Sequence, residues 1–238
     1  MRWVVGDIHG CAGAFERLLE AIRFDRSRDE LWSVGDLVNT GPDSAAVLRL
    51  WRATGGRGVL GNHDIHALRV RAGSREHRKD DPLDDLLGAV DAEELLASLR
   101  SLPILVRLPG GRQVREAWIV HAGLHPDWSD RPAVAGRINA LQRDDAGPLR
   151  PEIAFATRAR CCLPSGEMLS FVGPPGECPP PHRPWDDFYR GESLVVHGHW
   201  ARRGHYRGER TIGLDSGCVY GGPLSAWCQE EDRVVQVR

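Results

Sequence analysis

Aspartate, asparagine and histidine side chains cluster in five short turns, each directly after an apolar stretch of the chain. The polar residues of these turns are Asp7, His9, Asp36, Asn62, His63, Asp64, His121 and His199. Carboxylate, amide and imidazole groups without cysteine favour octahedral ions of moderate hardness, such as Mn²⁺, Fe, Co²⁺ or Zn²⁺. Asp and Asn are common in turns for local reasons, but five turns of this composition indicate a metal site.

The turns must be brought together by the elements that precede them. Apolar stretches at 3–5, 31–34 and 58–60 end in turns that contain glycine. Apolar residues at helical spacing then predict helices at 12–23, at 44–51 and from Ile65. Three strand–loop–helix units predict an open α/β sheet that carries a site at the carboxyl ends of its strands.

The rest of the chain reads as richer in β-structure. Leucines at helical spacing predict a helix over 86–102, closed by Pro103, after a charged and exposed excursion at 69–85. Further strands are predicted at 104–108, 117–120, 193–196, 211–214, 224–228 and 233–237. The proline-rich stretch 129–184 is predicted to be irregular and to serve as a lid or insertion over the site.

Length and composition limit the class of protein. A chain of 238 residues with 41% hydrophobic residues is consistent with one large globular domain or two small ones, and we expect a single domain over 1–238. The formal net charge of −2 argues against a dedicated nucleic-acid-binding surface or an acidic membrane as the main partner. The sequence contains no stretch of about 18 apolar residues that would predict a membrane span, and its six cysteines form no C-x-x-C pair. We therefore expect reduced thiols without a catalytic role and a cytoplasmic protein.

The turns also carry the motifs of a known family. Gly6-Asp7-Ile8-His9-Gly10, Gly35-Asp36, Gly61-Asn62-His63-Asp64, His121-Ala122-Gly123 and Gly198-His199 resemble, in order and spacing, the calcineurin-like metallophosphoesterases. Within that superfamily the chain is most similar to the enzymes that hydrolyse diadenosine tetraphosphate. The stretches that carry this closer likeness are 61–66, 121–128, 157–161, 198–201 and 214–222.

The resemblance implies a fold and a role for each residue. The implied fold is a four-layer αββα sandwich of two mixed β-sheets flanked by helices. Asp7 and His9 would hold one divalent ion, Asp36 would bridge, and Asn62, His121 and His199 would hold the second. The two ions, Mn²⁺ or Co²⁺ with Fe and Zn as alternatives, would supply a bridging hydroxide for in-line attack on phosphorus. His63 would act as general acid, and Asp64 would orient His63 or the backbone.

The implied reaction is symmetric cleavage of diadenosine tetraphosphate into two ADP, with other dinucleoside polyphosphates or nucleotide-capped RNA ends as further substrates. One departure concerns Thr40, which stands where the family has an arginine. Arg158 or Arg160 is a candidate to replace that charge at the substrate.

Two alternative functions stay open on the sequence. A serine/threonine phosphoprotein phosphatase of the same superfamily would share every ligand, but those enzymes have an aspartate where Asn39 stands. A non-enzymatic phosphate-binding protein would be consistent with Thr40. His197 is an alternative to His199 as ligand. His66 and His125 are expected to serve local packing, as are most of the aromatic residues Trp128, Trp185, Trp200 and Tyr220, which could otherwise stack adenine.

Overall fold

Two five-stranded mixed β-sheets form the centre of the protein. The computed structural model describes residues 1–79, 81–129, 131–141 and 149–238. The strands in chain order are β1 (Arg2–Val5), β2 (Glu30–Ser33), β3 (Arg57–Gly58), β4 (Leu105–Leu108), β5 (Ala117–Val120), β6 (Cys161–Cys162), β7 (Met168–Leu169), β8 (Arg183–Pro184), β9 (Leu194–His197), β10 (Tyr206–Arg207), β11 (Thr211–Gly213), β12 (Leu224–Cys228) and β13 (Arg233–Val237). The helices are α1 (Ala12–Ala21), α2 (Ser44–Thr54), α3 (Asn62–Arg71), α4 (Asp84–Leu87), α5 (Ala92–Arg100), α6 (Arg131–Leu141) and α7 (Pro151–Arg158).

The strand order places the site turns at one edge. The first sheet has the order β13-β12-β1-β2-β3, and the second has the order β10-β11-β9-β5-β4. In the first sheet β1, β2 and β3 run parallel, and in the second β5 and β9 run parallel. Parallel strands have their carboxyl ends at the same edge, so the turns after them lie side by side.

The two sheets pack face to face, with helices outside. Val4 and Val34 from the first sheet share a buried cluster with Ile119, Val196 and Ile212 from the second. Helix α1 covers the outer face of the first sheet at β12 and β13, and α6 contacts β4 of the second. The four layers confirm the αββα sandwich. The solvent-free faces on both sides of each sheet explain why β1, β5 and β9 are almost entirely apolar.

The structure corrects two expectations about local elements. Helix α3 begins at Asn62 rather than Ile65, because the Asp64 carboxylate accepts the backbone N–H of Gly61 and closes the first turn. The stretch 129–184 is not irregular in its described part, since α6, α7 and a small sheet of order β7-β6-β8 form there. Ile138 and Phe155 of this stretch are buried in the main apolar cluster. That 1–238 forms a single domain, with a lid or insertion at 129–184, stays a prediction.

The excursion at 69–85 is also more ordered than predicted. Helix α3 continues to Arg71, and the Leu83 side chain is fully buried. Nε2 of His66 lies 2.7 Å from a carboxylate oxygen of Asp81. The end of the excursion is therefore fixed to α3, although the charged side chains of Arg75, Glu76, Arg78 and Lys79 are exposed.

The expectation of reduced thiols is wrong for two of the six cysteines. Cys161 in β6 forms a disulfide with Cys178, 17 residues further along the chain. The pairing of β6 with β8 folds the proline-rich segment back beside Cys161, and no sequence motif announces that approach. Among the described residues, no helix is long and apolar enough to cross a bilayer. A cytoplasmic location stays a prediction.

Candidate metal centre

The turns after β1 and β2 are locked to each other by backbone hydrogen bonds. The N–H groups of Ile8 and His9 both donate to the carbonyl of Asp36, at 3.1 and 2.8 Å. The N–H of Gly10 donates to the carbonyl of Leu37 at 2.9 Å. The predicted ligands of these two turns are therefore held in a fixed relative position before any ion is considered.

Backbone strain concentrates at the same place. His9, Asp36 and His199 have φ of 50°, 54° and 67°, in the left-handed region that non-glycine residues rarely adopt. Asn39 and Thr40, in the turn after β2, have φ of 69° and 71°. Each such residue costs on the order of 1–3 kcal/mol and persists only where its surroundings fix it. Strain of this kind clusters at functional sites.

The carboxylate of Asp36 lies at the centre of the cluster. Its Oδ2 is 3.5 Å from Nε2 of His9 and 3.2 Å from Nε2 of His121. Two groups of possible ligand atoms share Asp36: one with His9 and His63, the other with His121 and His199. Within each group the atoms lie within 4.8 Å of one another. Asp36 thus belongs to both groups of possible ligands.

The remaining predicted ligands border these groups. The Asp7 carboxylate accepts the backbone N–H of His199, with 3.0 Å to Oδ2, and a Cβ at Gly198 would collide with it. Oδ1 of Asn62 is 3.1 Å from Nε2 of His121. All six predicted ligands are therefore brought to one place, and glycine at 198 is required for the Asp7 carboxylate to fit.

His63 and Asp64 have different surroundings. The ring of His63 meets that of His9 edge-on at 4.8 Å, and its Nδ1 is 3.5 Å from Oγ1 of Thr40. The buried Asp64 carboxylate accepts the backbone N–H groups of Asp36, Leu37 and Gly61 at 2.8–2.9 Å. Asp64 therefore ties the Asp36 turn to the start of α3 and positions backbone.

The electrostatics of the cluster follow from burial and from its one central carboxylate. Burial by itself raises the pKa of Asp36, but His121 and His63 outweigh burial and hold this pKa well below its usual value. Burial lowers the pKa of His121, whereas the charge of Asp36 raises it, with a net result of about 9. Burial lowers the pKa of His9 to about 4 and holds that of His199 well below its usual value. Those two imidazoles are neutral at pH 7, which is the form that binds metals.

Two buried nitrogen atoms also lack a partner. Nδ1 of His9 and Nε2 of His199 have no hydrogen-bond partner in the described part of the chain. An unsatisfied buried polar atom costs free energy unless something binds it. Oxygen and imidazole donors with no thiolate suit divalent ions of moderate hardness. The residues present therefore fit metal ions.

The two predicted substrate arginines lie on different sides of the cluster. Arg160 lines a cavity of about 670 Å³ together with Trp200 and Tyr220, and its guanidinium donates to the carbonyls of Phe171 and His199. Arg158 lines a separate cavity of about 240 Å³ that contains Asn62 and His63. The two arginines therefore face different parts of whatever binds at the cluster.

The aromatic residues divide into core and site. Trp185 is fully buried against His197, and Trp128 is buried beside His125. The indole of Trp200 is buried, and its Nε1 donates to the carbonyl of Gly173. Tyr220 is 72% exposed at the edge of the 670 Å³ cavity. Tyr220 is thus the aromatic ring that is open to a ligand.

His197 and His66 are outside both groups of candidate metal ligands. Nδ1 of His197 is 3.2 Å from the carbonyl of Gly198, and its ring packs edge-on against Trp185. His66 pairs with Asp81. Both histidines therefore serve local structure, and His199 is the residue placed with Asp36.

Sequence reasoning missed two residues of the smaller cavity. Arg75 and Arg78, from the charged excursion after α3, line it beside His63. Their charge alone could not have distinguished them from the other exposed arginines of the chain. Only the return of the excursion to His66 shows where they point.

Comparison with known proteins agrees with this geometry. The sequence model of the calcineurin-like phosphoesterases matches residues 2–212. The chain belongs to that family of metal-dependent hydrolases.

Particular relatives are more informative. A symmetrical bis(5′-nucleosyl)-tetraphosphatase of Aromatoleum aromaticum is 38% identical over 99% of this chain and 96% of its own. Another with the same name, from Acidovorax sp. strain JS42, is 39% identical over 94% of this chain and 90% of its own. A solved structure described as a candidate diadenosine tetraphosphatase superposes with a TM-score of 0.75 at 32% identity, over 99% of this chain and 92% of that one.

Proposed function

We propose that this protein hydrolyses diadenosine tetraphosphate symmetrically, giving two ADP. The observation that supports it best is the carboxylate of Asp36, shared by two groups of ligand atoms, with His63 beside it and two separate cavities, one lined by His63 and the other by Arg160. A dinucleoside tetraphosphate has a phosphate chain in the middle and a nucleoside at each end, so it needs room on both sides of the reacting phosphorus. The names of the relatives point to the same substrate.

The proposed metal centre assigns each residue a role. Asp7 and His9 would hold one divalent ion, Asp36 would contribute to both sites, and Asn62, His121 and His199 would hold the second. Divalent ions bound there would polarise the phosphate oxygens and lower the pKa of the attacking water. Two carboxylates against two divalent ions leave an excess of about +2 for the anionic substrate. Mn²⁺ or Co²⁺ is the proposed pair, with Fe and Zn as alternatives.

His63 gives its proton to the leaving oxygen. Its ring lies between the cluster and the smaller cavity, where the departing group must pass. Thr40 Oγ1, 3.5 Å from Nδ1, is placed to orient the ring. Asp64 acts through the backbone that carries Asp36 and is a positioning residue.

Arg158 and Arg160 bind the substrate from opposite sides. Arg160 is fixed by two backbone carbonyls next to Trp200 and Tyr220, so it suits the phosphate of the nucleotide whose base stacks there. The open position of Tyr220 would also accept the dinucleotide at a capped RNA end.

The decisive experiment separates the substrates by their products. Protein stripped of metal and reloaded with Mn²⁺ or Co²⁺ is given diadenosine tetraphosphate, a phosphopeptide and an aryl phosphate, and the products are separated by chromatography. Two ADP as the product supports the proposal. AMP plus ATP would overturn symmetric cleavage, and turnover of the phosphopeptide alone would favour a protein phosphatase.

A further inference from the structure

Three arginines converge on the smaller cavity. Arg75, Arg78 and Arg158 line this space of about 240 Å³ together with His63. In the described part of the chain, none of the three guanidinium groups forms an ion pair with Asp or Glu. Many other arginines of the chain do pair, for example Arg71 with Glu93. Asp81, the carboxylate among the described lining residues, lies against His66, so the charges of the three arginines exceed the negative charge of the lining.

Arg158 and Arg75 also repel each other. Partial burial lowers the pKa of Arg158, and the nearby charges of Arg75 and Arg69 lower it further. Like charges held close together are unfavourable unless an anion is present to compensate them. Guanidinium groups form bidentate hydrogen bonds with phosphate, which makes phosphate the best match in chemical class.

The segment that carries Arg75 and Arg78 is anchored over the site. The Asp81 carboxylate is 2.7 Å from Nε2 of His66 and 3.4 Å from Nδ2 of Asn39. It also accepts the backbone N–H of Arg78 at 3.4 Å. His66 follows His63 by one turn of α3, so the anchor fixes the arginine segment relative to the proposed general acid.

The residues that line the smaller cavity suit phosphate groups better than a nucleotide base. In the described residues it contains Asn, His, Arg and Asp, but no Trp, Tyr or Phe on which adenine could stack. The stacking ring, Tyr220, lies in the other cavity. The smaller cavity is therefore suited to a chain of phosphates.

We propose that Arg75, Arg78 and Arg158 form a phosphate subsite that binds the departing nucleoside diphosphate beside His63. This inference rests on the proposed function. The attacking water gives one proton to the solvent, its oxygen forms a bond to one central phosphorus, and the bond from that phosphorus to the bridging oxygen breaks. The bridging oxygen keeps the electron pair and takes a proton from His63, so the second ADP leaves with its charge facing three arginines. The subsite supplies the positive charge that Thr40 does not.

The test compares a long substrate with a short one. The double variant R75A/R78A is loaded with Mn²⁺ and given diadenosine tetraphosphate or an aryl phosphate, whose leaving group has no phosphate to place in the subsite. We expect KM for diadenosine tetraphosphate to rise about tenfold to 100-fold, with kcat/KM for the aryl phosphate within about twofold of wild type. R71A, which removes an exposed charge on the same segment, serves as the matched control and should match wild type for both.

Two results would overturn the subsite: an unchanged KM for diadenosine tetraphosphate, or an equal loss on both substrates. Binding of inorganic tripolyphosphate to metal-free protein, measured by calorimetry, gives a readout that needs no turnover. We expect R75A/R78A to weaken it by about tenfold or more relative to R71A. If wild type fails to hydrolyse diadenosine tetraphosphate, the proposed function fails, whereas weakened tripolyphosphate binding would still support the subsite and unchanged binding would overturn it.

Discussion

The two cavities beside the metal cluster differ in chemistry, although the proposed substrate is the same at both ends. One has an exposed tyrosine and an arginine held by backbone carbonyls. The other has three arginines with no stacking ring. A symmetric substrate in an asymmetric site must divide its contacts, with base recognition on one side and charge on the side of the leaving group. The comparison suggests that the departing half is held mainly by its phosphates.

The largest effect is expected at Asp36, which both halves of the site share. D36N keeps the size of the side chain but removes the charge that contacts both groups of ligands. We expect kcat to fall by about 10³-fold or more with any phosphate ester, together with loss of bound metal. Metal content by mass spectrometry and turnover of an aryl phosphate check this. D84N is the matched control, because the Asp84 carboxylate is 94% exposed.

The second largest effect is expected at the buried ion pair between Arg203 and Asp186. Arg203 forms a buried bidentate pair with Asp186 at 3.0 and 2.7 Å, and its guanidinium lies over the ring of Tyr206. R203A leaves Asp186 buried without its partner, so the free energy of unfolding should fall by about 3 kcal/mol at pH 7. Urea denaturation measures it.

The same pair predicts a pH dependence. Burial by itself raises the pKa of Asp186, but the hydrogen bonds and charge of Arg203 outweigh burial and lower it below the usual 3.8. A lowered folded-state pKa stabilises the protein above the unfolded pKa, and this stabilisation is lost as the pH falls through the folded value. The difference in stability between wild type and R203A should therefore shrink below about pH 4. A difference that is constant from pH 7 to acid would contradict this account of the pair.

Tyr220 lies at the open edge of the 670 Å³ cavity, so Y220A should weaken nucleotide binding and leave the rate of the chemical step unchanged. Stacking on one ring is worth about 1–3 kcal/mol, so KM for diadenosine tetraphosphate should rise by about fivefold to 100-fold. Y220F keeps the ring and should retain the wild-type KM. Equal losses for Y220A and Y220F would point to the hydroxyl group rather than to stacking. Steady-state kinetics with an aryl phosphate, which has no base to stack, gives the reference.

The smallest effect is expected on the charged side at Thr40. T40R restores the arginine of the family pattern, and it replaces a β-branched residue at φ 71°, where β-branched residues are strongly disfavoured. When T40R is introduced into the otherwise wild-type protein, we expect KM for diadenosine tetraphosphate to fall by only about threefold, because the three arginines already supply positive charge. The gain should be larger in R75A/R78A. The same small change in both backgrounds would argue that Thr40 and the arginine segment act independently.

Much of the fold could be predicted because the hydrophobic periodicity and the positions of the turn residues agreed. The alternation of short apolar stretches, glycine turns and helical spacing predicted the strand–loop–helix units, and β5, β12 and β13 match their predicted bounds. The described part of 129–184 was misread because prolines and polar residues mask Ile138, Ile153 and Phe155, which pack into the core. The Cys161–Cys178 disulfide was missed because strand pairing, which is not local in sequence, brings the two cysteines together.

The sequence by itself determined the ligand types and the turns that carry them, because strand ends and glycine turns are local properties of the chain. The resemblance to the phosphoesterase family supplied the proton donor candidate, the departure at Thr40 and the shared role of Asp36. Only the tertiary structure decided that Arg158 and Arg160 line different cavities and that Arg75 and Arg78 line a cavity beside His63. These relations depend on which strands lie side by side and on where a charged excursion folds back, and such long-range geometry leaves no periodic trace in the sequence.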